Sequence, residues 1–318
     1  MPSTSLRHND LAFVFPGQGS QSVGMLAELA AAEPRVKQTF DEASAGVGKD
    51  LWALVQTGPE DELNRTENTQ PALLAASVAV WRVWVARGGA LPSALAGHSL
   101  GEYSALVAAG ALGLADAAAL VAERGRLMQA AVPAGSGAMA AILGGEEAQI
   151  AEVCAEVAQG QIVAPANYNS PGQLVIAGQA EAVDRALARL AELGVRKSVK
   201  LAVSVPSHCA LMRDAAERLG ERMAALTWSM PAIPVVQNAE AEAYASLDDI
   251  RAALMRQLYL PVRWIGCVQA LAARGVRHIA ECGPGKVLAG LIKRIDKSLE
   301  ARAICTPAEL EAALAEWQ

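Results

Sequence analysis

Ser99 stands in Gly97-His98-Ser99-Leu100-Gly101, after a short apolar run and before a helical pattern. A serine between two near glycines at a strand-to-helix turn has the form of a nucleophile elbow, where backbones pass too closely for side chains on either flank. The turn also aims the N–H of Leu100, at the start of the following helix, at the place where an oxyanion would form. Acyl transfer through a serine ester is the chemistry that such a turn supports. A serine needs a base, and the chain has four histidines. His8 falls in the N-terminal tail, His98 on a strand end is expected to point away from the serine's side, and His278 reads as packing within a strand. His208, in Ser204-Val205-Pro206-Ser207-His208-Cys209, stands where a strand meets a helix and can reach across a cleft. The plainer alternative is a histidine that hydrogen-bonds locally at a helix start. Between residues 99 and 208 only Asp116 and Asp184 offer themselves as an orienting acid, and both lie in exposed helical patterns; a backbone or amide carbonyl could hold the imidazole instead.

A third residue breaks its own pattern. The apolar stripe Ala117, Leu120, Val121, Leu127, Met128 runs through Arg124 at helical spacing, which puts a guanidinium in a core position. Such an arginine needs an anion, although a stem snorkelling to solvent or a structural carboxylate would also account for it. Pro16-Gly17-Gln18-Gly19-Ser20-Gln21 follows the apolar run 11–15 and has the position of a site loop, after a buried strand. Nucleotide binding there is not expected, because the P-loop Lys-Ser/Thr pair is absent and the dinucleotide glycine spacing is not met.

The elements that must position these residues follow from periodicity. Strands are expected at 11–15, 93–97, 232–237, 276–281 and from 301, alternating with helices near 20–31, 34–45, 68–88, from Leu100, 115–131, from Ser207, 247–259, 261–273, 285–294 and at the end of the chain. That alternation predicts a mostly parallel sheet covered on both faces. Between Gly135 and Val205 the rhythm changes to strand 137–143, helix 146–158, strands 161–167 and 172–177 around Asn169-Ser170-Pro171-Gly172, helix 180–193 and strand 197–205. This is the βαββαβ order of a ferredoxin-like unit, read as a small domain inserted over 134–205 into a larger one made of 1–133 and 206–318.

The bulk numbers bound the function class. With 318 residues, 53% of them apolar, the chain is long enough for two units, yet its apolar stretches are too short to span a membrane. The polar start lacks a secretory signal, so a cytoplasmic location is expected. The five cysteines form no close pair and read as free, buried thiols rather than disulfides or a metal site. A net charge of −6 argues against nucleic acid.

Five separated motifs together carry a resemblance over nearly the whole chain: Phe15-Pro16-Gly17-Gln18-Gly19-Ser20-Gln21, Gly97-His98-Ser99-Leu100-Gly101-Glu102, Arg124 with Met128-Gln129, Ser204-Val205-Pro206-Ser207-His208, and Gln257-Leu258-Tyr259 followed by Pro261-Val262. The sequence resembles the bacterial malonyl-CoA:acyl-carrier-protein transacylases of fatty-acid synthesis. That resemblance implies a large α/β-hydrolase-like domain with a ferredoxin-like insertion. It implies that Ser99 is acylated with His208 as its base, that the backbone N–H groups of Gln18 and Leu100 serve the oxyanion, that Arg124 binds the malonyl carboxylate, and that the carbonyl of Gln257 orients His208. It further implies malonyl-CoA and holo acyl carrier protein as partners, a monomer, and no cofactor or metal, coenzyme A entering as part of a substrate. Polyketide or malonate metabolism is the neighbouring alternative; a serine esterase, which has no use for a buried arginine, is a more distant one. An acidic carrier demands a basic lip, and Arg196, Lys197 and Lys200 are the expected docking cluster, with Lys286, Lys293 and Arg294 as the alternative patch. The plain reading of the first cluster is a solvated helix end.

Overall fold

The computed structural model describes residues 7–201 and 205–317. Ser204 of the histidine-bearing motif and positions 202–204 of the strand expected over 197–205 lie outside the described residues, as does the start of the polar N-terminus. Nine strands are described: β1 (Arg7–Phe15), β2 (Leu91–Gly97), β3 (Gly137–Leu143), β4 (Val163–Ser170), β5 (Gln173–Gln179), β6 (Lys197–Lys200), β7 (Val235–Val236), β8 (His278–Cys282) and β9 (Glu300–Ile304).

One sheet has the order β7-β2-β1-β8-β9, every neighbouring pair parallel. Its central strand explains why. Leu11 to Phe15 are completely buried, and alternation sends Leu11, Phe13 and Phe15 to one face and Ala12 and Val14 to the other, so helices must cover both. On the first face Phe13 packs edge-on against Trp81 at 5.3 Å and beside Trp84 at 5.2 Å, both from the buried helix Thr66–Ala86. On the second, Val14 and Ala96 lie with Trp264, Val268 and Leu271 of the helix Trp264–Ala273.

The second sheet has the order β4-β5-β3-β6 and is antiparallel throughout. The helices Glu147–Val157 and Ala180–Glu192 close one face through Ile150, Val153, Val183 and Leu190. Its other face carries Met139, Val175 and Ala177 against Cys209, next to the histidine turn. Strand β4 is tied to the large unit by two backbone bonds, Tyr168 N–H to the Val262 carbonyl at 2.9 Å and Val262 N–H to that of Ala166 at 2.8 Å.

Several boundaries differ from expectation. Strand β1 starts at Arg7, so His8 is part of a strand rather than of a tail, its Nδ1 2.5 Å from Asp10. The first helix begins only at Ala27, and the helix expected from Ser207 begins at Arg213 after a 3-10 turn at Ala210–Met212. In both places the chain is making a turn at the cleft, which apolar periodicity does not report. Strand β7 shrinks to two residues, and the short helices Leu51–Thr57 and Glu60–Leu63 were not anticipated. All five cysteines are free, four of them buried. No helix among the described residues is long and apolar enough to cross a membrane.

Candidate active site

Strand β2 ends at Gly97 and the helix Gly101–Ala108 follows almost at once, so three residues turn the chain. Ser99 sits at φ +50°, in the left-handed region that costs an L-residue on the order of 1–2 kcal/mol and persists only where the surroundings impose it. A β-carbon on Gly97 would overlap the Gly101 backbone, and one on Gly101 would overlap the Phe15 carbonyl. Both flanking positions must therefore be glycine for the turn to lie this close to β1.

His208 comes to this turn from 109 residues away, with Nε2 2.8 Å from Ser99 Oγ. Its Nδ1 lies 2.7 Å from the carbonyl oxygen of Gln257, in the last turn of the helix Leu247–Tyr259. A carbonyl oxygen only accepts, so the ring hydrogen belongs on Nδ1 and the Nε2 lone pair faces the serine hydroxyl. Burial first, then the charge of Arg124, pushes the imidazole down to about 3. At neutral pH it is an unprotonated base.

Arg124 is 1% exposed. Its Nη1 donates to Gln70 Oε1 at 2.8 Å, and its Nη2 to Gln257 Oε1 at 3.0 Å and to Ser99 Oγ at 3.3 Å. The guanidinium carbon lies 5.5 Å from the centroid of the Tyr103 ring, and Nε has no protein partner. The side chain neither snorkels to solvent nor forms an ion pair with a carboxylate of the described residues. A buried cation held by neutral groups beside a serine hydroxyl retains the capacity to take up an anion.

A family model described as acyl transferase domain matches residues 12–306. The chain belongs to that family. It is 58% identical over 303 residues to a malonyl CoA-acyl carrier protein transacylase of Salmonella typhimurium, covering 95% of this chain and 98% of the relative. Against the protein of the same description from Bacillus subtilis it is 44% identical, with 96% of each covered. Among solved structures, a malonyl-CoA:acyl carrier protein transacylase from Xanthomonas oryzae pv. oryzae superposes with a TM-score of 0.97 at 67% identity, covering 98% of this chain and 99% of that one. A malonyl-transacylase solved in complex with its type II PKS acyl-carrier protein gives a TM-score of 0.95 at 56% identity, with 96% and 99% covered.

In this acyl transferase, Ser99 and His208 open onto a cavity of about 570 Å³ that Gln18, His98, Asn167 and Ser207 also line. Gln18 stands at its rim, its side-chain Nε2 donating to Thr66 Oγ1 at 2.7 Å. Among the described residues, the backbone N–H groups of Gln18 and Leu100 donate to no protein acceptor. His98 does not turn away as expected. It faces the same cavity and binds Asn169 Oδ1 through Nε2 at 2.8 Å, with its ring 5.6 Å from that of Trp264.

Four contributors were not found in the sequence: the Gln257 side chain, whose Nε2 also donates to the Ser99 carbonyl at 2.9 Å, together with Gln70, Asn169 and Asn238. The one available signal was polarity in apolar surroundings, since Gln70, Asn238 and Gln257 are all completely buried. The basic residues are dispersed differently. Arg196, Lys197 and Lys200 are exposed at the start and along the length of β6, and Lys200 is paired with Asp184 at 2.5 Å. In the alternative patch Lys286 pairs with Glu309 at 3.3 Å and Arg294 donates to Gln173 at 3.0 Å.

Proposed function

We propose that the chain transfers the malonyl group of malonyl-CoA to the phosphopantetheine thiol of acyl carrier protein, supplying malonyl carrier protein for fatty-acid elongation. The observation that carries this reading is Arg124: a buried guanidinium, unpaired with any carboxylate among the described residues, 3.3 Å from the serine oxygen that His208 contacts. An uncharged acyl group would leave it without its anion, whereas malonyl brings a carboxylate that fits a guanidinium fork. The family membership and the descriptions of the close relatives agree with it.

The reaction runs in two halves. His208 Nε2 takes the Ser99 proton as Oγ attacks the thioester carbonyl, and the Gln18 and Leu100 N–H groups receive the oxyanion. The intermediate collapses with loss of coenzyme A, whose sulfur takes the proton back from the imidazolium, leaving malonyl-serine. The pantetheine thiol, deprotonated by His208, then attacks the ester, and the serine leaves with that proton. Gln257 O keeps the imidazole in the required tautomer throughout. The chemistry calls for no cofactor or metal.

The finer fold reading belongs to the same proposal. A small-sheet order of second, third, first and fourth strand, with two helices on one face, supports a ferredoxin-like unit over 134–205, carried by an α/β-hydrolase-like domain of 1–133 and 206–318. The proposed protein is a cytoplasmic monomer, and the carrier docks at Arg196, Lys197 and Lys200. Because one close structural relative is described with a type II PKS carrier protein, service to a polyketide carrier is the second reading. Incubation with malonyl-CoA and holo carrier proteins of both kinds, followed by intact mass of enzyme and carrier, tests both. A malonyl adduct on Ser99 and on the fatty-acid carrier is expected; transfer without any serine adduct would overturn the mechanism.

A further inference from the structure

Asn238 lies two residues beyond β7, is completely buried, and has no part in the reaction above. Each of its polar groups is engaged at the elbow or at what braces it. Its Oδ1 accepts the Ser99 N–H at 2.8 Å and its Nδ2 donates to the Gly97 carbonyl at 2.7 Å. Its own N–H donates to Glu102 Oε2 at 2.7 Å, and its carbonyl accepts from Arg263 N–H at 3.1 Å. The other Glu102 oxygen accepts from Gln237 Nε2 at 2.9 Å. A carboxylate on the helix that follows the elbow thus anchors the segment whose amide spans it.

The chemistry of a primary amide is what the place requires. It offers an acceptor and a donor side by side, and here they close onto the residues either side of His98. A hydrocarbon would strand a buried N–H and a buried C=O, while a carboxylate would set oxygen against the Gly97 oxygen. Nothing intrinsic to Ser99 favours φ +50°, so external bonds must hold it there. Because the Ser99 N–H is occupied, the oxyanion must look to the next amide, that of Leu100.

We propose that Asn238 is a positioning residue for acyl transfer: its side-chain amide fixes the left-handed Ser99 so that Oγ stays within reach of His208 Nε2, and it withholds the Ser99 N–H from the oxyanion. The proposal rests on the acyl-serine reading given above. Misplacing a nucleophile by about an ångström costs on the order of 10²-fold in rate without weakening substrate binding.

The test is single-turnover acylation by malonyl-CoA, followed by intact mass, in wild type, Asn238→Ala, Asn238→Asp and Ser99→Ala. In Asn238→Ala the acylation rate constant per folded molecule is expected to fall roughly 10²-fold, with the KM for malonyl-CoA unchanged within about twofold. Asn238→Asp keeps the acceptor for Ser99 N–H and the volume, and is expected to recover part of that loss; it carries the test if the alanine variant does not fold. A residue that only stabilises the fold would lower the unfolding midpoint and the folded fraction while the rate per folded molecule stayed at the wild-type value. That result in either variant, or a loss expressed only in KM, overturns the proposal. No adduct on wild-type Ser99 would instead remove the acyl-serine reading, and is told apart because it is seen without any change at Asn238.

Discussion

The two sheet units hold their charged side chains in opposite ways. From the parallel-sheet unit come Ser99, Arg124, His208 and Gln257, joined by direct hydrogen bonds, the last three almost completely buried. From the antiparallel sheet comes β6, every residue of which is exposed, and whose cations face water or, for Lys200, one exposed aspartate. Burial strengthens electrostatics and fixes geometry where charge must develop. An exposed strand edge keeps long charged side chains free to meet a partner, at the expense of strength, since salt screens such contacts beyond about 10 Å. Chemistry and docking are therefore expected to fail separately.

The largest effect should come from the buried side. Ser99→Ala is expected to abolish malonyl loading, and His208→Ala to slow it by roughly 10²–10⁴-fold, read as the rate of acyl-serine formation. Full serine acylation in the histidine variant would break the contrast at its centre. Next is Arg124→Ala, expected to cost malonyl transfer about 2–4 kcal/mol more than acetyl transfer, with Arg124→Lys a poor rescue because it lacks the fork. Equal losses for both acyl groups would make Arg124 a structural residue.

Acid should act on the same cluster. Because burial and the Arg124 charge hold His208 well below its ordinary 6.5, at about 3, the base stays unprotonated as pH falls through 6.5. The acid limb of kcat/KM is expected well below that point, and Arg124→Gln should move it upward by removing the second cause. An acid limb at 6.5 in wild type would mean that the imidazole is solvated in the working enzyme.

The smallest effect belongs to the exposed side. Reversing Arg196 and Lys197 to Glu should raise the KM for the carrier, steeply at low salt and little at high salt, while loading from malonyl-CoA changes far less. Equal losses in both half-reactions, or none in either, would remove β6 from the docking surface.

Legibility followed the same divide between local and distant causes. The Gly97-x-Ser99-x-Gly101 spacing marked the elbow because close backbone approach can be met only by particular residues at particular offsets. Arg124 declared itself by interrupting an apolar stripe, and the unbroken apolar run from Leu11 to Phe15 announced a buried strand. In each case the signal lies within one or two turns of chain, where geometry is set by the backbone itself. The two-residue β7, the 3-10 turn after His208 and the inward His98 were missed because packing, rather than periodicity, sets them.

What no spacing could supply is the set of groups that tertiary folding brings to Ser99 from 109, 139 and 158 residues away: the His208 ring, the Asn238 amide and the Gln257 side chain. The group that orients His208 is a backbone carbonyl, identical at every position of the chain, so residue identity carries no trace of it. Only the packing of the helix Leu247–Tyr259 beside the elbow selects the carbonyl of Gln257. Residue types decided which chemistry this chain is equipped for; the depth at which those residues are buried, which lowers His208 and keeps Arg124 from water, exists only once the two faces of the parallel sheet are covered.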